Sequence, residues 1–497
     1  MSRKNRTIIF LAALLVIFTA CTTTGRGAPE RKYDWNDGPY LIQSGSSGTS
    51  VTVCWITTEK RDSTLVWGTS ESDLSNTITS SDSRVHSVLI EGLLPGSNYF
   101  YSIQEEFLLF PGNEVFDFST PADPAGDEPL EIIIAGDLQP KNEYTLMTNR
   151  IVAEQIDRED PDFIIQVGDA VQTGSSSESW HNLMSSLPLM ASERPIIPAI
   201  GNHEYYFPHD NGSFRSVFPY NYSAKKSCYY SLDIGEVHIT VLDPYDGGPA
   251  GLKAKMTEKQ KQWFISDLDS AVREGAGWIF VVLHQTVLTS GEFFDDVELR
   301  KWILPILSDH DIDAAFWGHT HFYEHWEYQY GENGYLLSPD DKPGNNPVDY
   351  FVIGSSGASL ESNYDLLYHK PFTGESHSWY NTNTGLMEEI ETIQYPWNPD
   401  VFFEGEQGKN QFNDTDLHFY QLPFDLNGEY SSDPLISYAT DNQWFGYQYG
   451  ENTLHYAKLS ITDDECIVTI HYPDGTLLSG PDGSIPQRFT LPRKRRN

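Results

Sequence analysis

The chain has 497 residues, more than a single hydrophobic core ordinarily organises, so two or more domains are expected. Its composition, 39% hydrophobic and 13% aromatic, is that of a globular protein and excludes collagen-like, coiled-coil or wholly disordered chains. A formal net charge of −39 repels nucleic-acid backbones and anionic membrane surfaces, so we expect a solvated acidic surface and no nucleic-acid binding.

The N-terminus has the pattern of an export signal. Basic residues at the start precede an apolar run at residues 8–18, which is shorter than the roughly 20 residues that a membrane-spanning helix needs. Ala20 then stands directly before Cys21, which resembles the bacterial lipobox, whose cysteine is lipidated and becomes the mature N-terminus. We predict a lipoprotein signal at residues 1–21, a polar tether at residues 22–37, and export to a bacterial cell envelope with a lipid anchor at Cys21. An ordinary cleaved signal is the alternative.

Residues 38–121 predict an all-β domain. Runs such as SVTVCWIT, STLVWGT and HSVLIEGL are separated by Gly, Ser, Asn and Pro turns, and about seven such short strands fit an antiparallel β-sandwich. The segment from Gly92 to Tyr101, GLLPGSNYFY, resembles the Leu-x-Pro-x-x-x-Tyr signature of fibronectin type III domains, in which the tyrosine has a structural role. The Pro- and Asp-rich run from Pro121 to Pro129 predicts a linker.

After the linker the pattern becomes that of a layered α/β or α+β domain. EIIIAGD and DFIIQVGD are nearly continuous apolar runs, typical of strands buried on both faces, and helical spacing lies between them at residues 144–158. Further helices are predicted at about residues 257–274 and 297–309, among the runs VHITVLD, WIFVVLH and AAFWGH. Residues 363–440 lack periodicity and are interpreted as an insertion in a domain at residues 130–497, because β character returns in TLHYAKLSI and ECIVTIHYP.

Five short polar segments interrupt these runs, each just past the carboxyl end of a predicted strand, where such sheets place their ligands. They are GDLQ (136–139), GDAVQ (168–172), GNHE (201–204), LHQ (283–285) and GHTH (318–321). Aspartate, asparagine and histidine are the ligand types that hold divalent metals. Two metals about 3.5–4 Å apart make a shared hydroxide nucleophilic at neutral pH and hold phosphoryl oxygens. The segments therefore predict a dinuclear metal phosphoesterase.

Taken singly, each of these residues has a structural interpretation, since an aspartate after a strand is often a turn former or a helix cap. The five segments in this order, however, resemble the calcineurin-like metallophosphoesterases. With a fibronectin-like domain in front, the chain is similar to the purple acid phosphatase branch of that superfamily. The resemblance implies an α+β fold in which an N-terminal β-sandwich is followed by a four-layer α/β/β/α metallophosphoesterase domain.

The resemblance also implies a role for each matching residue. Asp169 corresponds to the carboxylate that bridges two metals, Asp137 and His321 to ligands of the first metal, and Asn202, His284 and His319 to ligands of the second. His203 corresponds to the catalytic histidine that lies outside the metal shell, contacts the phosphate and protonates the leaving oxygen. The expected cofactors are two divalent ions, of Fe, Mn, Zn or Mg.

Two positions depart from the family pattern. Gln139 stands where most members of the superfamily have a histidine ligand, and Gln172 stands where purple acid phosphatases have a tyrosine ligand. Without a tyrosinate, a purple ferric centre is not expected. We include Gln139 among the candidate metal ligands, through its amide oxygen. The alternative is that Gln139 only forms a hydrogen bond outside the metal shell while a water completes the coordination, and both alternatives are open at this point.

The expected activity is hydrolysis of small phosphate esters, phosphomonoesters first, by attack of a metal-bound hydroxide. The histidines that follow the LH motif in the family's phosphatases are missing between Gln285 and Phe294, so a phosphodiesterase or nucleotide hydrolase is an alternative. A surface binding protein with a degenerate metal site is a second alternative, motivated by the two glutamines. Cys54, Cys228 and Cys466 have no CxxC spacing, and isolated buried thiols are predicted rather than a disulfide framework.

Overall fold

The computed structural model describes most of the chain from Asn36 onward. The described residues are 36–45, 48–107, 109–110, 114–121, 129–205, 210–248, 254–289, 297–328, 348–358, 376–381, 386–391, 447–451, 453–479 and 486–494. The predicted signal, nearly all of the predicted tether and most of the predicted insertion lie outside them. Within the described part of the chain, no helix combines the length and the hydropathy needed to cross a bilayer.

Five strands form the described N-terminal region. They are β1 (Asp37–Gln43), β2 (Ser50–Gly68), β3 (Asn76–Glu91), β4 (Asn98–Ile103) and β5 (Phe116–Ser119). The prediction of about seven short strands is wrong for these residues, because SVTVCWIT and STLVWGT belong to a single strand of 19 residues. The polar residues between the two runs stay in β2 because β3 pairs with it on both sides of them, with shifts of register between Ile56 and Ser63.

Both halves of β2 contribute to one hydrophobic core. Trp55 from the first half and Leu65 from the second are fully buried, and they pack in the same cluster as Phe118 of β5. The tyrosine of the fibronectin-like signature, Tyr99, accepts a hydrogen bond on its hydroxyl from the backbone N–H of Leu94 at 2.8 Å. Tyr99 therefore closes the turn before β4, which is the structural role that the signature predicts.

The remaining strands and helices alternate and then return to strands near the C-terminus. The strands are β6 (Leu130–Ala135), β7 (Phe163–Gln166), β8 (Ile196–Pro198), β9 (Tyr230–Ile234), β10 (Val237–Val241), β11 (Trp278–Val282), β12 (Ala314–Trp317), β13 (Tyr323–Tyr328), β14 (Val348–Ile353), β15 (Ser376–Asn381), β16 (Leu386–Glu391), β17 (Tyr447–Glu451), β18 (Tyr456–Ile461), β19 (Glu465–His471) and β20 (Arg488–Pro492). The helices are α1 (Glu143–Glu159), α2 (Ser177–Leu183), α3 (Leu187–Ala191), α4 (Gly212–Val217), α5 (Glu258–Glu274) and α6 (Val297–Asp309). The three helices predicted from the sequence are α1, α5 and α6, and their predicted bounds agree within one residue.

The strands form two large sheets. The first has 11 strands in the order β20-β19-β18-β6-β7-β8-β1-β2-β4-β5, with β3 paired to β2. The second has seven strands in the order β17-β13-β14-β12-β11-β10-β9. β15 and β16 pair with each other within the predicted insertion.

The side chains of β11 show how the layers are stacked. Phe280 and Val282 belong to the core that also contains the strands of the first sheet, whereas Ile279 and Val281 pack with α5 and α6 on the other face. Helix α1 contributes Ile156 to the core of the first sheet. Alternate residues of a strand point to opposite faces, so a strand that is apolar throughout must be covered on both sides. The predicted α+β fold, with an N-terminal sheet region followed by an α/β domain, is confirmed.

The N-terminal strands continue the first sheet of the α/β domain. β1 pairs in parallel with β8 through Ile42 and Ile196. Farther from this pairing, the Tyr101 hydroxyl donates a hydrogen bond to the backbone carbonyl of Ser192 at 2.6 Å. The sequence predicted a linker between two domains and contained no sign of this pairing. The strand that precedes the GNHE segment is therefore fixed from the N-terminal side as well.

Cys54, Cys228 and Cys466 are free and buried, which confirms the prediction of isolated thiols. Burial raises the pKa of each of these thiols well above its ordinary value. Neutral buried thiols are poor nucleophiles and poor metal ligands, so these cysteines serve packing.

Candidate metal centre

The predicted ligand residues lie on loops at the carboxyl ends of neighbouring strands. β6, β7 and β8 are parallel neighbours in the first sheet and are followed by Asp137, Asp169 and Asn202. β11 and β12 are parallel neighbours in the second sheet and are followed by His284 and His319. Parallel strands end at one edge of a sheet, so both sheets deliver these side chains to the same edge.

The backbone is strained at several of these residues. Asp137, Asp169 and His319 have φ angles of 50°, 51° and 71°, and Gln139 has a φ of 35°. Positive φ is costly for residues other than glycine, and such conformations cluster at functional sites because the surrounding structure enforces them. The four strained residues belong to three of the polar segments, GDLQ, GDAVQ and GHTH. Their strain indicates that these loops are shaped to place particular side chains.

One group of ligand atoms converges on the amide oxygen of Asn202. His284 Nε2 lies 3.1 Å and His319 Nδ1 lies 3.0 Å from Asn202 Oδ1. His284 Nε2 also lies 3.1 Å from Asp169 Oδ2. Ligand atoms of Asp169, His284 and His319 all lie within 4.8 Å of one another, and all three residues are buried. These four side chains are the ones that the resemblance assigns to the second metal.

A hydrogen bond to the backbone fixes the orientation of the His284 ring. Its Nδ1 lies 3.0 Å from the backbone carbonyl of Val167, to which it donates a hydrogen bond. This bond leaves Nε2 to face Asn202 and Asp169. Metal-binding histidines characteristically donate their second ring nitrogen to a carbonyl or carboxylate in this way. Gly168, with a φ of 101°, makes room for the ring, because a Cβ at this position would meet His284.

A second group of ligand atoms surrounds Asp137. Its carboxylate accepts hydrogen bonds from the backbone N–H of His319, at 3.2 Å to Oδ1 and 3.1 Å to Oδ2. His321 Nε2 lies 3.4 Å from Asp137 Oδ1. Gln139 is 2% exposed and donates a hydrogen bond from Nε2 to Asp169 Oδ2 at 2.7 Å. Asp137, His321 and Gln139 therefore lie on the side that the resemblance assigns to the first metal, and Asp169 is shared by both sides.

The electrostatics of the site are those of buried acids and bases held together. Burial lowers the pKa of His284, but the charges of Asp169 and Asp137 outweigh burial and raise that pKa to about 9. Burial also disfavours the ionised form of Asp169, yet His284 and His203 hold its pKa below the usual range. Burial raises the pKa of Asp137 and lowers that of His319. Such opposed shifts are those expected of acids and bases that are buried in contact with one another, an arrangement that is common at functional sites.

His203 lies at the open side of the site. Its backbone N–H donates to Asp169 Oδ1 at 2.9 Å, and its ring Nε2 lies 3.8 Å from Asp169 Oδ2. Its ring Nδ1 donates to the backbone carbonyl of Gln172 at 2.7 Å. The side chain of His203 is 18% exposed, whereas that of Asp169 is 2% exposed. Gln172 thus holds the ring of His203, and Nε2 faces the position between Asp169 and solvent.

The sequence did not assign a role to Glu204, the last residue of GNHE. Its carboxylate accepts three backbone hydrogen bonds, from Gly201 at 2.7 Å, Val171 at 3.0 Å and Asp169 at 3.1 Å. Glu204 is fully buried. It therefore ties the GDAVQ and GNHE segments together by their backbones. The sequence carries no signal for this role, because the backbone N–H groups that need an acceptor belong to two loops that meet only in the folded chain.

All eight candidate site residues, Asp137, Gln139, Asp169, Asn202, His203, His284, His319 and His321, lie within this cluster. The donor set fits two divalent metals, because buried imidazole nitrogens and an amide oxygen converge beside one shared carboxylate. Asp169, Asn202, His284 and His319 would hold one ion. Asp137, Asp169 and His321 would hold the other.

Two family models match the chain. The model for calcineurin-like phosphoesterases matches residues 130–323, which include all five polar segments. Residues 130–323 are therefore a calcineurin-like phosphoesterase domain. The model for the N-terminal domain of purple acid phosphatases matches residues 37–120, so the phosphoesterase domain follows the N-terminal domain of that branch, as the resemblance predicted.

Several curated proteins similar to this chain are purple acid phosphatases. Purple acid phosphatase 21 of Arabidopsis thaliana is 28% identical over 284 residues, which are 55% of this chain and 58% of the relative. Purple acid phosphatase 22 of the same plant is 28% identical over 266 residues, 52% of this chain and 57% of the relative. The chain thus spans less than two thirds of the length of these two relatives.

Solved structures show the same fold. Purple acid phosphatase PPD1 from yellow lupin seeds superposes on this chain with a TM-score of 0.60 at 16% identity, covering 93% of this chain and 75% of that chain. The structure of PhoD superposes with a TM-score of 0.56 at 11% identity, covering 94% of this chain and 92% of that chain. At such low identity the likeness concerns the fold alone.

Proposed function

We propose that the protein is a metal-dependent phosphoric ester hydrolase that acts on small phosphate esters. Phosphomonoesters are the leading candidates for its substrates. The observation that carries the proposal is the meeting of His284 Nε2 and His319 Nδ1 at Asn202 Oδ1, beside the carboxylate of Asp169. When bound, two divalent ions supply Lewis acidity toward phosphoryl oxygens and lower the pKa of a water molecule.

The chain's own residues orient the reaction. Asp169 is held by the backbone N–H of His203 and by the Gln139 amide, so its carboxylate keeps one orientation. His203 is the proposed proton donor. Its Nδ1 is committed to the carbonyl of Gln172, which leaves Nε2 as the atom that carries the transferable proton to the leaving oxygen.

The test is hydrolysis of p-nitrophenyl phosphate and of bis(p-nitrophenyl) phosphate by the full chain after loading with Mn²⁺, Zn²⁺, Mg²⁺ or Fe²⁺. We expect turnover of the monoester with at least one metal, and its loss in His319→Ala. His310→Ala is the matched control, because His310 lies at the end of α6, paired with Asp269, and belongs to no part of the site. If the folded protein hydrolyses neither ester with any of the four metals, the proposal is refuted.

A phosphodiesterase or nucleotide hydrolase is the second candidate. Gln285, directly after His284, is buried, and its side chain accepts a hydrogen bond from the Tyr245 hydroxyl at 3.0 Å. Because its amide is neutral, Gln285 offers no positive charge to a monoester phosphate. A higher kcat/KM for the bis-ester than for the monoester would select this candidate. If the site is instead that of a surface binding protein, metal analysis of the native protein is expected to find fewer than one ion per chain, unaffected by Asp169→Ala.

We further propose that the protein is exported and anchored by lipid at Cys21. The supporting observations are the basic start, the short apolar run and the Ala-Cys pair of the sequence. Expression of the full chain in a bacterium, followed by fractionation, tests this. The wild type is expected in the membrane fraction and Cys21→Ala in the soluble or precursor form, and identical fractionation of the two would contradict the anchor.

A further inference from the structure

Gln139 is one of the two residues at which this chain departs from the family pattern, and its backbone and side chain both contact the loop that carries Asp169. It lies on the same loop as Asp137, and its backbone N–H donates to the carbonyl of Asp169 at 3.3 Å. The neighbouring bond, from the N–H of Asp137 to the carbonyl of Gly168 at 3.1 Å, joins the same two loops. These bonds hold Gln139, which is 2% exposed, where the loops that carry Asp137 and Asp169 meet.

The orientation of the Gln139 amide follows from its partner. The amide nitrogen donates to Asp169 Oδ2 at 2.7 Å, an oxygen of the carboxylate that both sides of the site share. A carboxylate only accepts, so the end of the amide that faces it is the NH₂ group. The amide oxygen therefore points away from Asp169 Oδ2. Among the residues that the structure describes, none donates a hydrogen bond to that oxygen.

Gln172, the other substituted position, is engaged differently. Its backbone carbonyl accepts from His203 Nδ1, and its side-chain amide nitrogen lies 3.3 Å from the same ring nitrogen. Its contacts thus belong to His203. The amide oxygen of Gln172 is buried and has no donor within the described part of the chain. Gln172 is therefore the competing candidate whenever a metal-ligand role is assigned to Gln139.

We infer that Gln139 completes the first metal position with its neutral amide oxygen while its amide nitrogen holds Asp169, so that this position takes a divalent ion and not a ferric ion. The inference rests on the proposed metal-dependent function. The reason is charge. A tyrosinate would add one negative charge beside Asp137 and Asp169, whereas a glutamine adds none, and carboxylate with neutral carbonyl ligands suits divalent ions such as Mn²⁺ or Mg²⁺.

Metal titration without substrate tests the ligand assignment. The full-length wild type, Gln139→Ala, Gln139→His and Gln172→Ala are titrated with Mn²⁺ and Zn²⁺ by calorimetry, and bound metal is counted by mass spectrometry. We expect two equivalents in the wild type, the second weaker. In Gln139→Ala the weaker equivalent is expected to lose about tenfold or more in affinity while the tighter one is retained. In Gln139→His, which restores an imidazole, the weaker equivalent is expected to tighten by about tenfold.

Three outcomes would overturn the inference. If Gln139→Ala weakens both equivalents together, Gln139 acts only by holding Asp169, which serves both ions. If neither equivalent changes, Gln139 has no part in metal binding. If Gln172→Ala loses the weaker equivalent and Gln139→Ala keeps it, the amide ligand is Gln172.

Binding of ferrous and of ferric iron tests whether the first metal position excludes a trivalent ion. Wild-type protein mixed with Fe²⁺ without oxygen is expected to retain two equivalents, and protein mixed with ferric citrate is expected to retain no ferric ion at the weaker position after gel filtration. Stable retention of ferric ion there would contradict the inference. Because none of these measurements uses a substrate, a protein that binds metal as described but hydrolyses no ester would refute the proposed function and leave the ligand assignment standing.

Discussion

The carboxylate of Glu204 accepts a hydrogen bond from the backbone N–H of Asp169 at 3.1 Å, so a residue of one ligand loop positions the shared carboxylate of another. The same carboxylate oxygen accepts from the N–H of Gly201 at 2.7 Å, one residue before Asn202. Two loops that follow different strands are thereby joined directly behind the site.

We expect Glu204→Gln to lower both stability and metal content. The amide keeps the shape of the carboxylate but presents an NH₂ group to at least one backbone N–H, which loses its acceptor in a buried site. The expected loss is about 2–3 kcal/mol in the free energy of unfolding. Urea unfolding and metal counting on purified protein measure the two effects. Glu274→Gln is the control, because Glu274 is an exposed carboxylate at the end of α5. Full metal occupancy in Glu204→Gln would refute the positioning role.

We expect His203→Gln to reduce kcat by about 10²-fold or more, because it removes the proposed proton donor. Metal content is expected to stay at the wild-type level, since the hydrogen bond to Asp169 Oδ1 comes from the backbone N–H and survives the substitution. Steady-state kinetics with p-nitrophenyl phosphate and metal counting test this. His310→Gln serves as the control. A loss of metal equal to the loss of activity would show that His203 acts on the metals rather than on the leaving group.

His238 should make stability depend on alkaline pH. Its ring contacts Asp233 at 2.7 Å and Asp267 at 3.1 Å; burial lowers its pKa, but the two carboxylates outweigh burial and raise it to about 9. A folded-state pKa above the unfolded value of about 6.5 stabilises the protein fully below pH 6.5, and this contribution is lost as the pH rises through 9.

The expected size of that contribution is about 3 kcal/mol. Urea unfolding at pH 6 and at pH 9.5 should show the loss in the wild type and a smaller one in His238→Gln, which cannot be charged. Equal pH dependence in the two proteins would mean that His238 is not the titrating group.

The hydroxyl of Tyr101 should stabilise the junction with the phosphoesterase domain. Tyr101→Phe leaves the buried carbonyl of Ser192 without its donor, and we expect a loss of about 1–2 kcal/mol in a single unfolding transition. Tyr222→Phe is the matched control, because its hydroxyl donates to the carbonyl of Phe218 at 2.7 Å inside the phosphoesterase domain. Calorimetry with two separate transitions in Tyr101→Phe would contradict a junction that unfolds together with the domain.

The sequence predicted the layered domain well because its strands carry their signal locally. β6, β7 and β11 consist mostly of apolar residues, and an aspartate or a histidine follows the last residue of each within three positions. Helix α5 has a threonine cap and a terminal glycine that mark its bounds. The ordered ligand segments then placed the candidate site residues on one edge. The structure brings those residues together, while their binding and catalytic roles stay predictions.

Other features had no local signal. The pairing of Ile42 with Ile196 joins strands far apart in the chain, and nothing in either strand specifies the other. The polar middle of β2 has the composition of a turn, and only its partner β3 keeps it extended. Glu204 shows the same limit, since a carboxylate next to metal ligands looks like a ligand until its three backbone donors are visible.

The junction of β1 with β8 has a practical consequence for engineering. A shortened protein that starts after residue 121 would leave β8 as the edge of a truncated sheet, with backbone groups next to Ile196 that have lost the neighbour supplied by Ile42. Newly exposed sheet edges are templates for association between molecules. We therefore expect the protein without residues 37–121 to associate more readily than the full chain, and an exchanged N-terminal region would need a strand that pairs with β8 as β1 does.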